Sequence, residues 1–292
     1  MRCSKTPWIT LLLLGPIVTG PLQAAVTTPQ KAFRPGELWP DNNGVPINCH
    51  GGGMLAYGET LYWFGQHMVE GDAGNYAQVG VHVYSSKDLY NWRDEGIALR
   101  VSEDPKSDIT KGCVLERPKV IYNRRTGKFV MWFHLELKGK GYGAARSGVA
   151  VADRPTGPYR FIESFRPNAG VWPINVPAEL KRPLSAEEAT YIHKLHFGGG
   201  PFPNFPVNLL FRRDFAGGQM ARDMTLFVDD DGTAFHIYAS EDNSTLQISQ
   251  LSEDYLRPAG KYVRVLPGGF NEAPAVFKHA GKYYLITSGC TG

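Results

Sequence analysis

One phrase occurs four times along the chain: a polar or acidic residue, an apolar run, a tight turn, and a second run rich in aromatic residues. It reads His50-GGGMLAYGETLYWFG, Glu116-RPKVIYNRRTGKFVMWFH, Asp223-MTLFVDDDGTAFHIYAS and Glu272-APAVFKHAGKYYLITSG. Self-similarity spaced by tens of residues marks radial or solenoid repeats. Apolar runs joined by Gly-containing turns are strands, so the repeating unit is a propeller blade rather than a helical pair. The innermost strand of a blade lines the central channel, so the residues that start these strands meet at one end of the axis. In three of the four copies that residue is a carboxylate: Glu116, Asp223 and Glu272.

An acid at one strand start is ordinarily a solvated turn residue. Three at equivalent places of a repeat predict a depression rich in carboxyl groups. Glycoside hydrolysis needs that equipment: one carboxyl gives its proton to the leaving oxygen, and a second group activates water or attacks the sugar.

Composition agrees with an all-β chain. Of 292 residues, 42% are hydrophobic and 12% aromatic, enough for a substantial core, and 33 Gly with 21 Pro favour many short strands and turns. No long segment holds a helical apolar period. The N-terminus, MRCSKTPWITLLLLGPIVTGPLQAAV, places Arg2 and Lys5 ahead of an apolar stretch and small residues at Ala24 and Ala25. It reads as a signal peptide over residues 1–24, followed by one domain over residues 25–292, so the protein is expected to be secreted or periplasmic with no membrane span after cleavage. Losing Arg2 and Lys5 from the 31 basic residues leaves 29 against 28 acids, a net charge of +1, with no nucleic-acid signature. Four cysteines become three with Cys3 gone. Cys49 and Cys113 each precede an inner strand closely enough to meet, and are equally readable as buried free thiols. No Cys or His spacing matches a zinc cluster, so no metal site is assigned.

The four starting residues are 66, 107 and 49 positions apart. The long interval holds an insertion over about residues 166–221, of the kind that often walls an active site. Within it SAEEATYIHKLH reads as a short helix with Ser185 as cap and acids in its first turn, and His193 and His196 as ordinary surface residues. The run DDDG at 229–232 lacks the spacing of an EF-hand loop and reads as a hairpin turn. Among the tryptophans, Trp63 and Trp132 read as packing between blades, whereas Trp39 lies outside the repeat and is freer.

The segments INCHGGG, ERPKVIYN, RDMTLFVDDDG and EAPAVFKHAGKYYLITSGCTG resemble glycoside hydrolase family 43, five-bladed propellers, and its branch of exo-β-1,3-galactanases in particular. The likeness covers residues 38–292 apart from the insertion. It implies a five-bladed β-propeller with about four blades in this chain, and release of non-reducing-end galactose from β-1,3-galactan or arabinogalactan with inversion. It implies Glu272 as general acid and Asp223 as the aspartate that tunes and positions it. Glu116 would bind sugar hydroxyls, with Tyr142 a further candidate for the same pocket. His50 stands where most of the family has an aspartate base, and Gln66 stands where this branch is expected to have Glu; both are implied, with Glu116 and Tyr142, as substrate-binding residues. The branch orients its water with a Gln from the fifth blade, so the chain is expected to be a fragment of a longer one. The partner implied is an oligo- or polysaccharide, with no cofactor required. A structural calcium is compatible, without identifiable ligands. Arabinofuranosidase, xylosidase or galactofuranosidase activity is the alternative within the family, and a noncatalytic carbohydrate-binding propeller the alternative outside it.

Overall fold

A computed structural model describes residues 29–194 and 206–289. The fold is all-β. Blade one consists of β1 (His50–Tyr57), β2 (Thr60–Gln66), β3 (Gly80–Ser86) and β4 (Arg93–Arg100). Blade two consists of β5 (Val114–Asn123), β6 (Lys128–Glu136), β7 (Arg146–Ala152) and β8 (Arg160–Phe165). Blade three consists of β9 (Met224–Val228), β10 (Ala234–Ser240), β11 (Thr245–Leu251) and β12 (Pro258–Val265), while β13 (Asn271–His279) and β14 (Lys282–Gly289) form a two-stranded sheet. Each strand pairs antiparallel with its chain neighbour, and the first strands pack in sequence, β1 on β5, β5 on β9 and β9 on β13. The four-fold phrase is thus the inner hairpin of four successive sheets.

Period-two alternation explains how the blades stack. On β6 the side chains of Phe129, Met131 and Phe133 join the cluster shared with blade one, including Phe64, Val83 and Leu115. Val130 and Trp132, the residues between them, join the cluster shared with blade three, including Met224, Tyr238 and Tyr255. Blade two is apolar on both faces because it is covered on both, as a strand buried on two sides must be. Trp132 is fully buried and donates its indole N–H to the Tyr255 carbonyl at 2.8 Å, tying blade two to blade three. Trp39 is not free: it packs on Trp63 and Trp92 and donates to the Tyr90 carbonyl.

The described part of the insertion lies against blade three. Asn168 donates to Tyr238 Oη and Ser249 Oγ, Ile174 N–H to the Tyr262 carbonyl, and Asn175 to the Arg264 carbonyl. Its helix α1 (Ala186–Lys194) begins with a capping box, Ser185 Oγ accepting from Glu188 N–H at 3.1 Å and Glu188 accepting from Ser185 N–H at 2.8 Å. A second, four-residue turn of helix, α2 (Leu210–Arg213), follows. Asp229–Thr233 closes the β9–β10 turn, with Gly232 at φ 85°, as the DDDG run predicts. His193 is exposed.

Cys49 and Cys113 are both free. Burial pushes the Cys113 thiol up to about 12 and the Cys49 thiol higher still, so neither is a thiolate at neutral pH. Among the described residues no helix is long and apolar enough to cross a membrane. The segment read as a signal peptide, with Cys3, lies outside the described residues, as do His196 and Cys290.

Candidate functional site

Three of the starting residues sit on one backbone device. In β1, β5 and β13 the pairing register slips once, between His50 and Gly53, between Glu116 and Lys119, and between Glu272 and Ala275. The residue directly after each starting residue is left-handed: Gly51 at φ 61°, Arg117 at 53° and Ala273 at 49°. A bulge of this kind re-aims a side chain that regular pleating would send elsewhere. Arg117 and Ala273 hold a conformation that L-residues avoid, so their surroundings must over-determine it. Asp223 does so: its Oδ2 accepts from Ala273 N–H at 3.1 Å and from Arg117 Nη2 at 2.9 Å. One carboxylate therefore fixes the bulges of the second and fourth inner strands together.

Each bulge residue also has a cross-strand partner on the second strand of its hairpin: His50 with Gln66, Glu116 with His134, and Glu272 with Ser288. For Glu116 that pairing builds a chain of hydrogen bonds. Its Oε2 meets His134 Nδ1 at 3.1 Å, and His134 Nε2 meets Glu136 Oε1 at 2.9 Å. Glu136 Oε2 accepts from Ala145 N–H at 2.8 Å. The other oxygen of Glu116 accepts from Tyr142 Oη at 2.9 Å, and Asn75 donates to Tyr142 Oη at 3.0 Å. Burial pushes the Glu116 carboxyl up, but His134, Tyr142 and the His50 charge outweigh it and hold it below its ordinary value. Burial likewise pushes His134 down, while Glu116 and Glu136 outweigh this and raise it.

Glu272, half-buried, accepts from Asn243 Nδ2 at 2.6 Å on its Oε1. Arg222, next to Asp223, donates to Asn243 Oδ1 at 3.3 Å and to the Tyr142 carbonyl at 2.8 Å, linking the Glu272 and Glu116 sides. His50 is exposed at the start of β1. Gln66, only 1% exposed, donates to the Asn75 carbonyl at 2.8 Å and leaves its own Oε1 without a protein partner. It supports the β2–β3 loop that carries Asn75, and through Asn75 it steadies Tyr142. Of the residues named from sequence, Glu116, Tyr142, Asp223, Glu272 and His50 are thus gathered around the start of the inner strands, and Gln66 lies beneath them.

Of the three glycines after His50, Gly51 answers to its φ of 61°, and Gly52 and Gly53 have a packing reason. A Cβ on Gly52 would stand 2.3 Å from Trp63 Nε1 and 2.7 Å from the Phe64 carbonyl, and one on Gly53 would stand 2.3 Å from Lys119 Cδ. Lys119 uses that space to donate to the Gly52 carbonyl at 2.9 Å, and burial lowers its ammonium to about 8. Glu116, His134 and Asp223 each place a ligand atom within 4.8 Å of the others, close enough to share a cation. His134 and Glu116 already satisfy one another and Arg117 occupies Asp223, so the arrangement is a hydrogen-bonded network. At its far end the channel opens into a cavity of about 1410 Å³ lined by residues such as Tyr122, Asp229 and Val276, away from these carboxylates.

Sequence reading missed Arg117, His134, Glu136, Arg222 and Asn243. A signal existed for His134: it ends the second apolar run where Gln66 ends the first, so the cross-strand partner of a starting residue is polar in both copies. Asn243 lies in a turn outside the repeated phrase and had no such signal.

Residues 187–292 match glycosyl hydrolases family 43. None of the curated proteins matches the chain. Among solved structures, a family 43 β-1,3-galactosidase determined with galactodeoxynojirimycin is 53% identical with a TM-score of 0.79, the alignment covering 88% of this chain and 73% of that one. An exo-β-1,3-galactanase from Clostridium thermocellum is 35% identical with a TM-score of 0.65, over 88% of this chain and 46% of that one. An exo-β-1,3-galactanase from Phanerochaete chrysosporium, solved with β-1,3-galactotriose, is 31% identical with a TM-score of 0.63, over 88% of this chain and 47% of that one. The chain therefore spans less than half the length of these two galactanases. With a propeller core, a carboxyl-rich channel mouth and a relative identical at 53% of positions, this chain belongs to glycosyl hydrolases family 43.

Proposed function

We propose that the protein hydrolyses the terminal β-1,3-galactosyl bond of a galactan or arabinogalactan chain, releasing galactose from the non-reducing end with inversion. The observation that carries this reading is the meeting of Glu116, Asp223 and Glu272 at one channel mouth, with Asp223 bonded to the backbone N–H directly after Glu272. Family membership and the galactan-directed names of the similar structures support the substrate class.

In this reading Glu272 is the general acid. Its proton passes to the glycosidic oxygen as the C1–O bond breaks; water attacks C1 from the opposite face and releases one proton to solvent, from which Glu272 is reprotonated, so a β-linked substrate leaves as α-galactose. Asp223 positions the acid by fixing the Ala273 bulge and keeps Arg117 at the mouth. Glu116, held ionised, accepts hydrogen bonds from sugar hydroxyls, with Tyr142 as its neighbour and His50 at the rim. No described side chain is assigned to the water. The reaction needs no cofactor, and the apolar stretch before Ala24 supports export to a compartment where polysaccharide is met.

The test is hydrolysis of β-1,3-galactobiose and β-1,3-galactan followed by proton NMR. We expect α-galactose to appear first, and Glu272→Gln to abolish hydrolysis while sugar binding persists. First appearance of the β anomer would overturn inversion, and activity surviving in Glu272→Gln would overturn the assignment of the acid. A protein that binds galactan without ever cleaving it would be a carbohydrate-binding propeller.

A further inference from the structure

Among the described residues, the β10–β11 connection, Glu241–Ser244, is the turn with three consecutive left-handed residues and no glycine. Glu241, Asp242 and Asn243 are consecutive non-glycine residues at φ 54°, 54° and 66°. The preceding β9–β10 turn takes its left-handed residue from Gly232. A run of left-handed residues without glycine persists only where the surroundings hold it.

The holding group is the Glu241 carboxylate, which is fully buried. Its Oε1 accepts from Arg264 Nε at 2.6 Å and from Gln247 Nε2 at 3.1 Å, and its Oε2 from Arg264 Nη2 at 2.7 Å and Thr245 Oγ1 at 3.1 Å. The forked Arg264 contact fixes the plane of the carboxylate as well as its place. Arg264 is itself braced from the insertion: its guanidinium lies 4.2 Å from the centre of the Phe211 ring and donates to the Val207 carbonyl. The insertion also supplies Arg213, which donates to Asp242 at 2.8 Å, and Gln219, which accepts from Gln247 at 3.0 Å. All of this converges on a turn that meets the Glu272 carboxyl through Asn243, whose Nδ2 donates to Glu272 Oε1 at 2.6 Å.

We propose that this turn is a positioning device for the Glu272 carboxyl, in which the buried Glu241–Arg264 pair and the insertion behind it lock Asn243 so that one Glu272 oxygen is engaged and the other is presented to the leaving group. Asn243 Oδ1 accepts from Arg222, which fixes the amide with its NH₂ toward Glu272. The carbonyl oxygen of a protonated carboxyl is its better acceptor, so a hydrogen bond received on Oε1 favours the proton on Oε2, and the contact biases which oxygen donates. Asn243, Glu241 and Arg264 are positioning residues. The proposal rests on the reading of Glu272 as the general acid.

The experiment compares two substrates in the full chain: β-1,3-galactobiose, whose leaving oxygen needs a proton, and 2,4-dinitrophenyl β-galactoside, whose leaving group does not. For Asn243→Ala we expect kcat on the disaccharide to fall about 30-fold, part of the roughly 10²- to 10⁴-fold that general acid catalysis contributes. On the dinitrophenyl substrate we expect a loss of about threefold or less. Arg264→Lys, which keeps the charge and loses the fork, should show the same selectivity at smaller size, with a melting curve reporting whether it folds. Asn243→Asp suits the left-handed turn and adds a negative charge beside Glu272. The charged groups already gathered there are Asp223 with its Arg117, Arg222, and Asp242 with its Arg213. An acid is active while protonated and a neighbouring negative charge favours that form, so the alkaline limb of the kcat profile should move up by about one pH unit.

Equal losses on the two substrates, or a change in KM alone, would overturn the proposal and make Asn243 a sugar-binding or purely structural residue. Glu272→Gln is the reference and should show the same leaving-group pattern more strongly. If it retains disaccharide hydrolysis, the acid assignment itself falls and the turn's role falls with it. If Glu272→Gln behaves as an acid variant and Asn243→Ala does not, only the positioning claim is lost.

Discussion

The His134 imidazole lies fully buried between two carboxylates, 3.1 Å from Glu116 and 2.9 Å from Glu136. Removing the ring while leaving both acids buried strands their charges, which typically costs 3–5 kcal/mol where one partner of a buried pair is lost. We expect His134→Leu to lose about 3 kcal/mol or more in urea unfolding, and His134→Gln, which retains a donor, to lose less. The pH dependence follows from direction. The folded His134 binds its proton more tightly than the unfolded chain does, despite burial. Its contribution is therefore fully present below the ordinary value of 6.5 and fades as pH rises through the raised folded value. Glu116 is shifted the other way, so its contribution is present above 4.5 and fades as pH falls through the lowered one. The stability gap between wild type and His134→Gln should narrow above neutral pH. A gap that widened there would mean the imidazole is neutral in the fold.

Among the elements, β1 shows how a sequence motif becomes geometry. Its glycines let Trp63, Phe64 and Lys119 approach the backbone more closely than any side chain permits. Gly52→Ala introduces a Cβ that meets both the Trp63 indole and the Phe64 carbonyl, and overpacking of this kind costs roughly 1–3 kcal/mol. Gly71, with open space around it, lies outside the strands, so a Cβ there meets nothing and only its φ of 91° is strained. We expect Gly52→Ala to lower kcat/KM as well as the unfolding midpoint, because the bulge that aims His50 moves with it, while Gly71→Ala leaves catalysis unchanged. Equal catalytic effects would show that the glycine run serves the backbone alone. Helix α1 follows local rules: Ser185 and Glu188, three residues apart, form its capping box, so its start is legible in the sequence, whereas α2 has no side-chain cap.

Across the whole molecule, the sheets are stacked unevenly. Blade two is covered on both faces, whereas the outer sheet of β13 and β14 exposes Phe277, Tyr283, Tyr284, Leu285 and Ile286, each at least 39% accessible. Among the described residues β14 pairs only with β13, which leaves it as an edge. An apolar edge strand invites pairing with another chain. We expect residues 25–292 produced alone to self-associate with rising concentration in analytical ultracentrifugation, and Ile286→Lys to reduce this. A monomer at all concentrations would contradict the reading of this face as adhesive. The repeat in the sequence was sufficient for the blades, their order and three of the carboxyl groups at the mouth, because strand alternation and turn residues are local properties that each copy states again. The left-handed backbone at Arg117 and Ala273 carries no glycine to announce it. The contacts of His134 with Glu136 and of Asn243 with Glu272, and the brace from the insertion to Arg264, join residues through side chains that no repeat pairs. Those were settled by packing alone, because a conformation an L-residue avoids is stable only when groups distant along the chain close around it.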